Sequence, residues 1–210
     1  LSHFTLNAKI TENGEVLRDE NGDPKIRSFV IPSEKVKIID DWTAMGLKAS
    51  ATQSFRLTDI IVPENQSFIY NEFYLPQPIF KIPFAVFADL TLWVNYVGMA
   101  THFLSEAEKL KEAQHFKKLK TVLVTANKKI AHFASAIEQT ISTNESPKQG
   151  FREEIHLDAA TSVKQISAAI IEIYPKLGIA ACSEDYSINQ IFRDYFTATQ
   201  HHIFTKKQNP

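Results

Sequence analysis

Cysteine is nearly absent from this 210-residue chain, paired glycine is absent, and the two signs of charge are almost balanced. The single cysteine, Cys182, cannot close an internal disulfide, which excludes a disulfide-stapled scaffold and favours a reducing, cytoplasmic compartment. Lys and Arg total 23 against 24 Asp and Glu, a formal net charge of −1. No bulk field therefore favours nucleic acid or an anionic membrane as partner. No apolar run reads as long enough to span a bilayer, and no basic-then-apolar opening marks a signal peptide. HExxH, paired CxxC, Walker and GxSxG patterns are absent, so zinc-protease, zinc-finger, P-loop and serine-hydrolase chemistry have no support.

What is present falls into two parts. Residues 1–78 read as β-rich: a strand over 3–10, an Asn13-Gly14 hairpin turn, a second turn cluster at Asn21-Gly22-Asp23-Pro24, and short strands over 26–31 and 36–39. Leu1, Ser2 and His3 already lead into strand without an initial Met, which points to a chain that continues upstream. Pro76, Pro78 and Pro83 punctuate a linker. Residues 79–210 read as four helices, over about 84–113, 116–141, 151–177 and 187–204. Ile130, Phe133, Ile137 and Ile141 recur at spacings of three and four, as do Ala160, Val163, Ile166, Ile170, Ile173 and Leu177, so the second and third helices each carry a core stripe. Asn144, Pro147 and Gly150 mark a loop, and Pro175 must kink or shorten the third helix ahead of Gly178. The fold class is α+β: an antiparallel, barrel-like partial β domain followed by an antiparallel four-helix bundle.

The segment from Trp42 through Met45, Gly46, Leu47, Lys48, Ser50 and Thr52 to Phe55 has a sharp turn at Gly46. The apolar series Phe55, Leu57, Ile60, Ile61 and Val62 then reads as a strand ended by Pro63. This stretch resembles the segment that closes the middle β domain of the acyl-CoA dehydrogenase superfamily. There a tryptophan and a Gly-x-Arg-x-Ser-x-Thr-like turn precede a strand with a Val-Pro-Glu-like exit; here Lys48 replaces the arginine and the exit is Val62-Pro63-Glu64. The resemblance implies a flavin, FAD or FMN, with Trp42, Ser50 and Thr52 among its contacts.

In the last predicted helix Arg193, Thr197 and His201 stand four apart, one polar stripe about 12 Å long. Phe192, Phe196 and Ile203 fall on another face, and His202 points away as a surface residue. A solvated helix face with cations near its C-terminal end would look similar. The run Arg193-Asp194 with Thr197 and His201 resembles one branch of the same superfamily, the two-component flavin-dependent monooxygenases. These take reduced flavin from a partner reductase. The resemblance makes Arg193 and Thr197 cofactor contacts. It makes His201 a catalytic group beside the flavin, bonding its oxygen adduct or taking a substrate proton, as suits a side chain that titrates near neutrality. Asp194 is given no chemistry beyond pairing or capping.

The family's Gln-x-x-Gly-Gly-x-Gly-like run is missing, and Glu138, Glu153, Glu154 and Glu172 stand in no matching motif, so oxygen chemistry is better supported than acyl-CoA dehydrogenation. Acyl-CoA dehydrogenation is the enzymatic alternative, and a non-catalytic oligomerising remnant or fragment is the other, because the resemblance covers only the C-terminal half or so of the family's length. It also implies a dimer or tetramer, in keeping with the very apolar first helix, and a small-molecule substrate. A di-iron site built on Glu112-x-x-His115 and Glu153-x-x-His156 fails on distance. His115 and Glu138 lie roughly 35 Å apart along one helix, and Glu153 and His156 fall at the far end, so no metal is expected. His102 and His132 read as helix-surface residues, and Lys109, Lys111, His115, Lys117, Lys118 and Lys120 as a solvated basic face.

Overall fold

The computed structural model describes the chain except residues 21, 71, 73, 144, 146–149, 202, 203 and 205–210, and describes Ala180 by its backbone alone. Asn21, Asn144, Pro147, His202 and Ile203, singled out above, therefore lie outside the described residues. The chain divides into two compact units: Leu1–Trp42 with Ala51–Lys81, and Thr43–Ser50 with Ile82–Pro210.

The first unit holds short antiparallel strands. These are β1 (His3–Lys9), β2 (Thr11–Glu12), β3 (Glu15–Val16), β4 (Ile26–Pro32), β5 (Lys37–Ile39), β6 (Ser54–Arg56) and β7 (Ser67–Phe68). Sheet order is β1-β4-β7, with β2-β3 and β5-β6 as separate pairs, so the expected barrel-like sheet does not close among the described residues. β1 alternates exposed and half-covered residues and runs opposite β4, Leu6 facing Phe29. Asn13 and Gly14 take the positive φ of 50° and 84° that a two-residue hairpin requires. The strand expected over 54–62 stops at Arg56. Asp59 turns left-handed at φ 48°, which an aspartate tolerates but a ladder does not, and Ile61 is left 89% exposed.

The second unit is built on α1 (Phe84–Ala107), α2 (Lys117–Ser142), α3 (Phe151–Ile173) and α4 (Ser187–Ala198). α1 packs on the other three, and α2 on α3. The stripes read from spacing form the core: Phe133 and Ile137 of α2 and Val163, Ile166, Ile170 and Ile173 of α3 belong to one buried cluster with Trp93, Tyr96 and Phe103 of α1. Each such side chain contributes roughly 1.5–3 kcal/mol on burial. His102 and His132 are exposed. Pro175 shortens α3 as expected: the chain tightens into a 3-10 turn over Tyr174–Leu177 and stops at Gly178, φ 81°. α1 is shorter than expected, ending at Ala107.

Two further expectations need correction. α1 is long and apolar enough, by length and composition, to cross a membrane. Its Trp93, Ala100, Phe103 and Ala107 are nevertheless wholly buried in the bundle, as befits a central core helix. α4 ends at Ala198, not near residue 204, because Thr199, Gln200 and His201 bond back to Tyr195, Thr197 and Ala198 in a closing turn.

Candidate functional site

α4 places Ile188, Ile191 and Tyr195 in the core and turns Arg193, Asp194 and Thr197 onto a neighbouring face. That face grips the Thr43–Ser50 segment. Thr197 Oγ1 accepts from the Gly46 amide at 2.9 Å, Asp194 Oδ1 from the Leu47 amide at 2.5 Å, and Arg193 Nη1 donates to the Met45 carbonyl at 3.2 Å. Gly46 lies against the α4 backbone so closely that a Cβ there would stand 2.2 Å from the Arg193 carbonyl oxygen. Leu47 then takes φ 52° and leads into a 3-10 turn over Lys48–Ser50. Ser50 Oγ donates to the Leu47 carbonyl at 2.6 Å.

The grip is braced from behind. Arg193 Nε donates to Asn189 Oδ1 at 2.8 Å, and the buried Asn189 donates to the Ala181 carbonyl at 2.9 Å. The Tyr174 hydroxyl also donates to Ala181, and its ring stacks on Phe192 at 3.7 Å. Burial pushes the Tyr174 phenol up. The Tyr195 phenol, beside Ser167 Oγ at 3.0 Å, is pushed up further by burial. Both stay protonated near neutrality and act as hydrogen-bonding groups.

Of the residues singled out from sequence, the structure brings Arg193 and Thr197 together with the Gly46 turn. Asp194, given no chemistry, proves a further holder of that turn, its carboxylate accepting a charge-assisted bond from the Leu47 amide. Ser50 and Lys48 are exposed on the gripped segment. Trp42, half-buried, and Thr52, exposed, belong to the β unit. His201 sits exposed, past the end of α4 rather than on its stripe. A cleft of about 460 Å³ between α3 and the end of α4 is lined by Lys164, Ser167, Phe196, Thr199, Gln200 and Phe204, among others. No His, Cys, Asp and Glu grouping suited to a metal ion occurs among the described residues. His156, half of one di-iron spacing, bonds Asp89 instead. Three of the five lysines on the basic face are paired, as Lys109–Glu106, Lys118–Glu172 and Lys120–Glu108.

Residues 88–206 match the family described as "Acyl-CoA dehydrogenase, C-terminal domain". The chain belongs to that family. A curated relative, the indole-3-acetate monooxygenase of Acinetobacter baumannii, is 34% identical over 85 residues, 40% of this chain and 22% of the relative. Among solved structures, the HsaA monooxygenase from M. tuberculosis is similar at TM-score 0.85 and 16% identity, over 97% of this chain and 58% of that one. XiaF from Streptomyces sp., solved with FADH2 and glycerol, is similar at TM-score 0.76 and 17% identity, over 97% of this chain and 56% of that one. These structural likenesses establish the fold. The chain spans less than three-fifths of the length of the solved relatives.

A flavin carries a phosphate, a polar ring edge and an apolar ring face. The Thr43–Ser50 segment offers it a fixed turn with the exposed ammonium of Lys48, which has no ion-pair partner among the described residues, and the Ser50 hydroxyl. The α4 groups hold that turn, and the Thr197 hydroxyl proton and further Arg193 N–H groups are not used up by doing so.

Proposed function

We propose that this chain is part of a flavin-dependent oxidoreductase of the monooxygenase type. One observation carries the reading: two motifs nearly 150 residues apart, each resembling a flavin-site segment, meet as a single gripped turn in one compact unit. Lys48 and Ser50 would hold the flavin, the lysine ammonium toward its phosphate. Arg193, Asp194 and Thr197 act one layer back, fixing the turn that presents Lys48 and Ser50. When bound, reduced flavin supplies electrons to oxygen. His201 holds or moves a proton at its imidazole for a small organic substrate. The name of the curated relative suggests a small aromatic acid as substrate, and the cleft with its Phe196, Phe204 and Lys164 offers rings and a cation to such a molecule. A homo-oligomer and a separate flavin reductase complete the proposed system.

The experiment is flavin titration of the natural gene product, oxidised and reduced, followed by fluorescence quenching and absorbance. Tighter binding of reduced flavin and turnover only with a reductase present are the expected outcome. FAD that co-purifies and bleaches with an acyl-CoA would replace the proposal with a dehydrogenase. No binding of either flavin form would overturn the enzyme reading altogether.

A further inference from the structure

Asp89 is the most deeply buried carboxylate among the described residues, 1% exposed on the core side of α1. Its Oδ2 lies 3.2 Å from His156 Nδ1 on α3. Burial pushes the carboxyl up; His156, and more weakly Arg152 one turn earlier, pull it back. A buried polar pair of this kind is a poor source of stability, because desolvation offsets most of its attraction and apolar residues would pack as well. Its geometry shows what else it does. The His156 ring lies 5.6 Å from the ring of Phe204, and Tyr96, two turns along α1 from Asp89, meets Phe204 edge-on at 5.9 Å. The Tyr96 hydroxyl also donates at 3.0 Å to the carbonyl of Ala198, the last residue of α4. α1 and α3 thus hold the chain at Ala198 and again at Phe204. Between those two holds lies His201, which no helix carries.

We infer that the Asp89–His156 pair is a latch that positions the segment bearing His201. Asp89 fixes the plane of the His156 ring, the ring and Tyr96 seat Phe204, and the seated Phe204 closes the turn over residues 199–201. Asp89 and His156 are positioning residues; neither is placed at a reacting atom. His201 matters to chemistry only under the oxidoreductase reading, whereas the latch stands without it.

Native-state amide exchange on the 210-residue chain without flavin tests the latch. The amides of Thr199, Gln200 and His201 each donate to a backbone carbonyl, so their protection reports the closed turn. Asp89→Leu should speed their exchange about tenfold while most α1 and α2 amides keep their rates. Asp89→Asn, which keeps an acceptor for His156, should restore most of the protection. Phe204→Ala approaches the latch from the tail, removes none of the fully buried core side chains, and should match Asp89→Leu; the double variant should be no worse than either single. Unchanged exchange at residues 199–201 in Asp89→Leu or Phe204→Ala would overturn the inference. So would equal acceleration throughout α1 and α3, which marks a packing role only, or an Asn variant that behaves like Leu. If flavin-dependent turnover exists, Asp89→Leu should lower kcat with flavin affinity unchanged. Loss of flavin binding in the wild type would sink the oxidoreductase reading and leave the exchange result intact.

Discussion

The two units of this chain differ most in what they bury. In the β unit Ile31 is the one fully buried apolar side chain among the described residues, and Ile26, Ile38, Ile61 and Ile79 stand half or more exposed. Every other buried apolar side chain described belongs to the helical unit. Ordering the backbone costs roughly 1–2 kcal/mol per residue, and only burial on the scale of the helical unit offsets that. The helical unit is a domain in the physical sense; the β unit has strands without a core of matching size. The gripped turn Thr43–Ser50 sorts with the helices because its Gly46 and Leu47 amides are satisfied by α4.

The largest expected effects test this contrast directly. Trp42 lies in the β unit and Trp93 in the helical unit, so single-tryptophan variants read each unit separately. Phe103→Ala, at a fully buried position, should cost the Trp93-monitored transition about 3–5 kcal/mol. Ile31→Ala should shift the Trp42-monitored transition to lower denaturant and leave the Trp93 transition within about 0.5 kcal/mol of wild type. The two probes should already separate in the wild type, the β unit opening first. Coincident transitions that both substitutions move equally would show one cooperative unit and break the comparison.

Next in size is the grip itself. Gly46→Ala places a methyl group 2.2 Å from a helix carbonyl, which neither backbone can yield without undoing the bonds to Asp194 and Thr197. The expected loss is about 3 kcal/mol in the Trp93 transition. Thr197→Val keeps the shape and removes the acceptor for the Gly46 amide, for an expected loss of about 1–2 kcal/mol. Under the proposed function both variants should also weaken flavin binding, although neither alters a side chain placed against the flavin. A Gly46→Ala protein of wild-type stability would show that the close approach is not retained in solution.

How much of this was legible in the sequence follows from range. The α2 and α3 stripes could be read because a helix repeats its core contact every three or four residues, and Phe133, Ile137, Val163, Ile166 and Ile170 are buried where the spacing put them. The Asn13-Gly14 hairpin was legible for the same reason: its geometry is local. The end of α4 was not, since no glycine or proline marks Ala198 and the exit is shaped by Tyr96, far away in sequence. The strand expected beyond Arg56 was lost to a left-handed Asp59 that alternation cannot reveal. Arg193 and Thr197 stand out in the sequence as candidate cofactor contacts through family likeness rather than physics. Their partners at Met45 and Gly46, and the roles of Asp194 and Asp89, are set by contacts across the fold that no spacing records. An Asp beside an Arg, with Thr three residues on, is the only hint the sequence carried.

The smallest effect expected is one of sign. Asp41, in the β unit, accepts from the Ser54 amide at 2.8 Å, and that bond together with the Ser54 hydroxyl holds its carboxyl below the ordinary value of 3.8. A depressed pKa means that the folded state prefers the charged form, so this contribution is present above pH 3.8 and fades as pH falls through the lower folded value. Asp89 runs the other way. Burial raises its carboxyl above 3.8, so the folded state prefers the proton, and the associated stability is present below 3.8 and lost as pH rises through the raised folded value. Unfolding midpoints measured through the acid range should therefore diverge between the units. The deficit of Asp41→Asn on the Trp42 probe should shrink as pH falls. Asp89→Asn should gain on wild type, on the Trp93 probe, as pH rises. Parallel pH profiles for the two substitutions would mean that Asp89 is not held in the dry core, and the latch would lose the buried pair on which it is built.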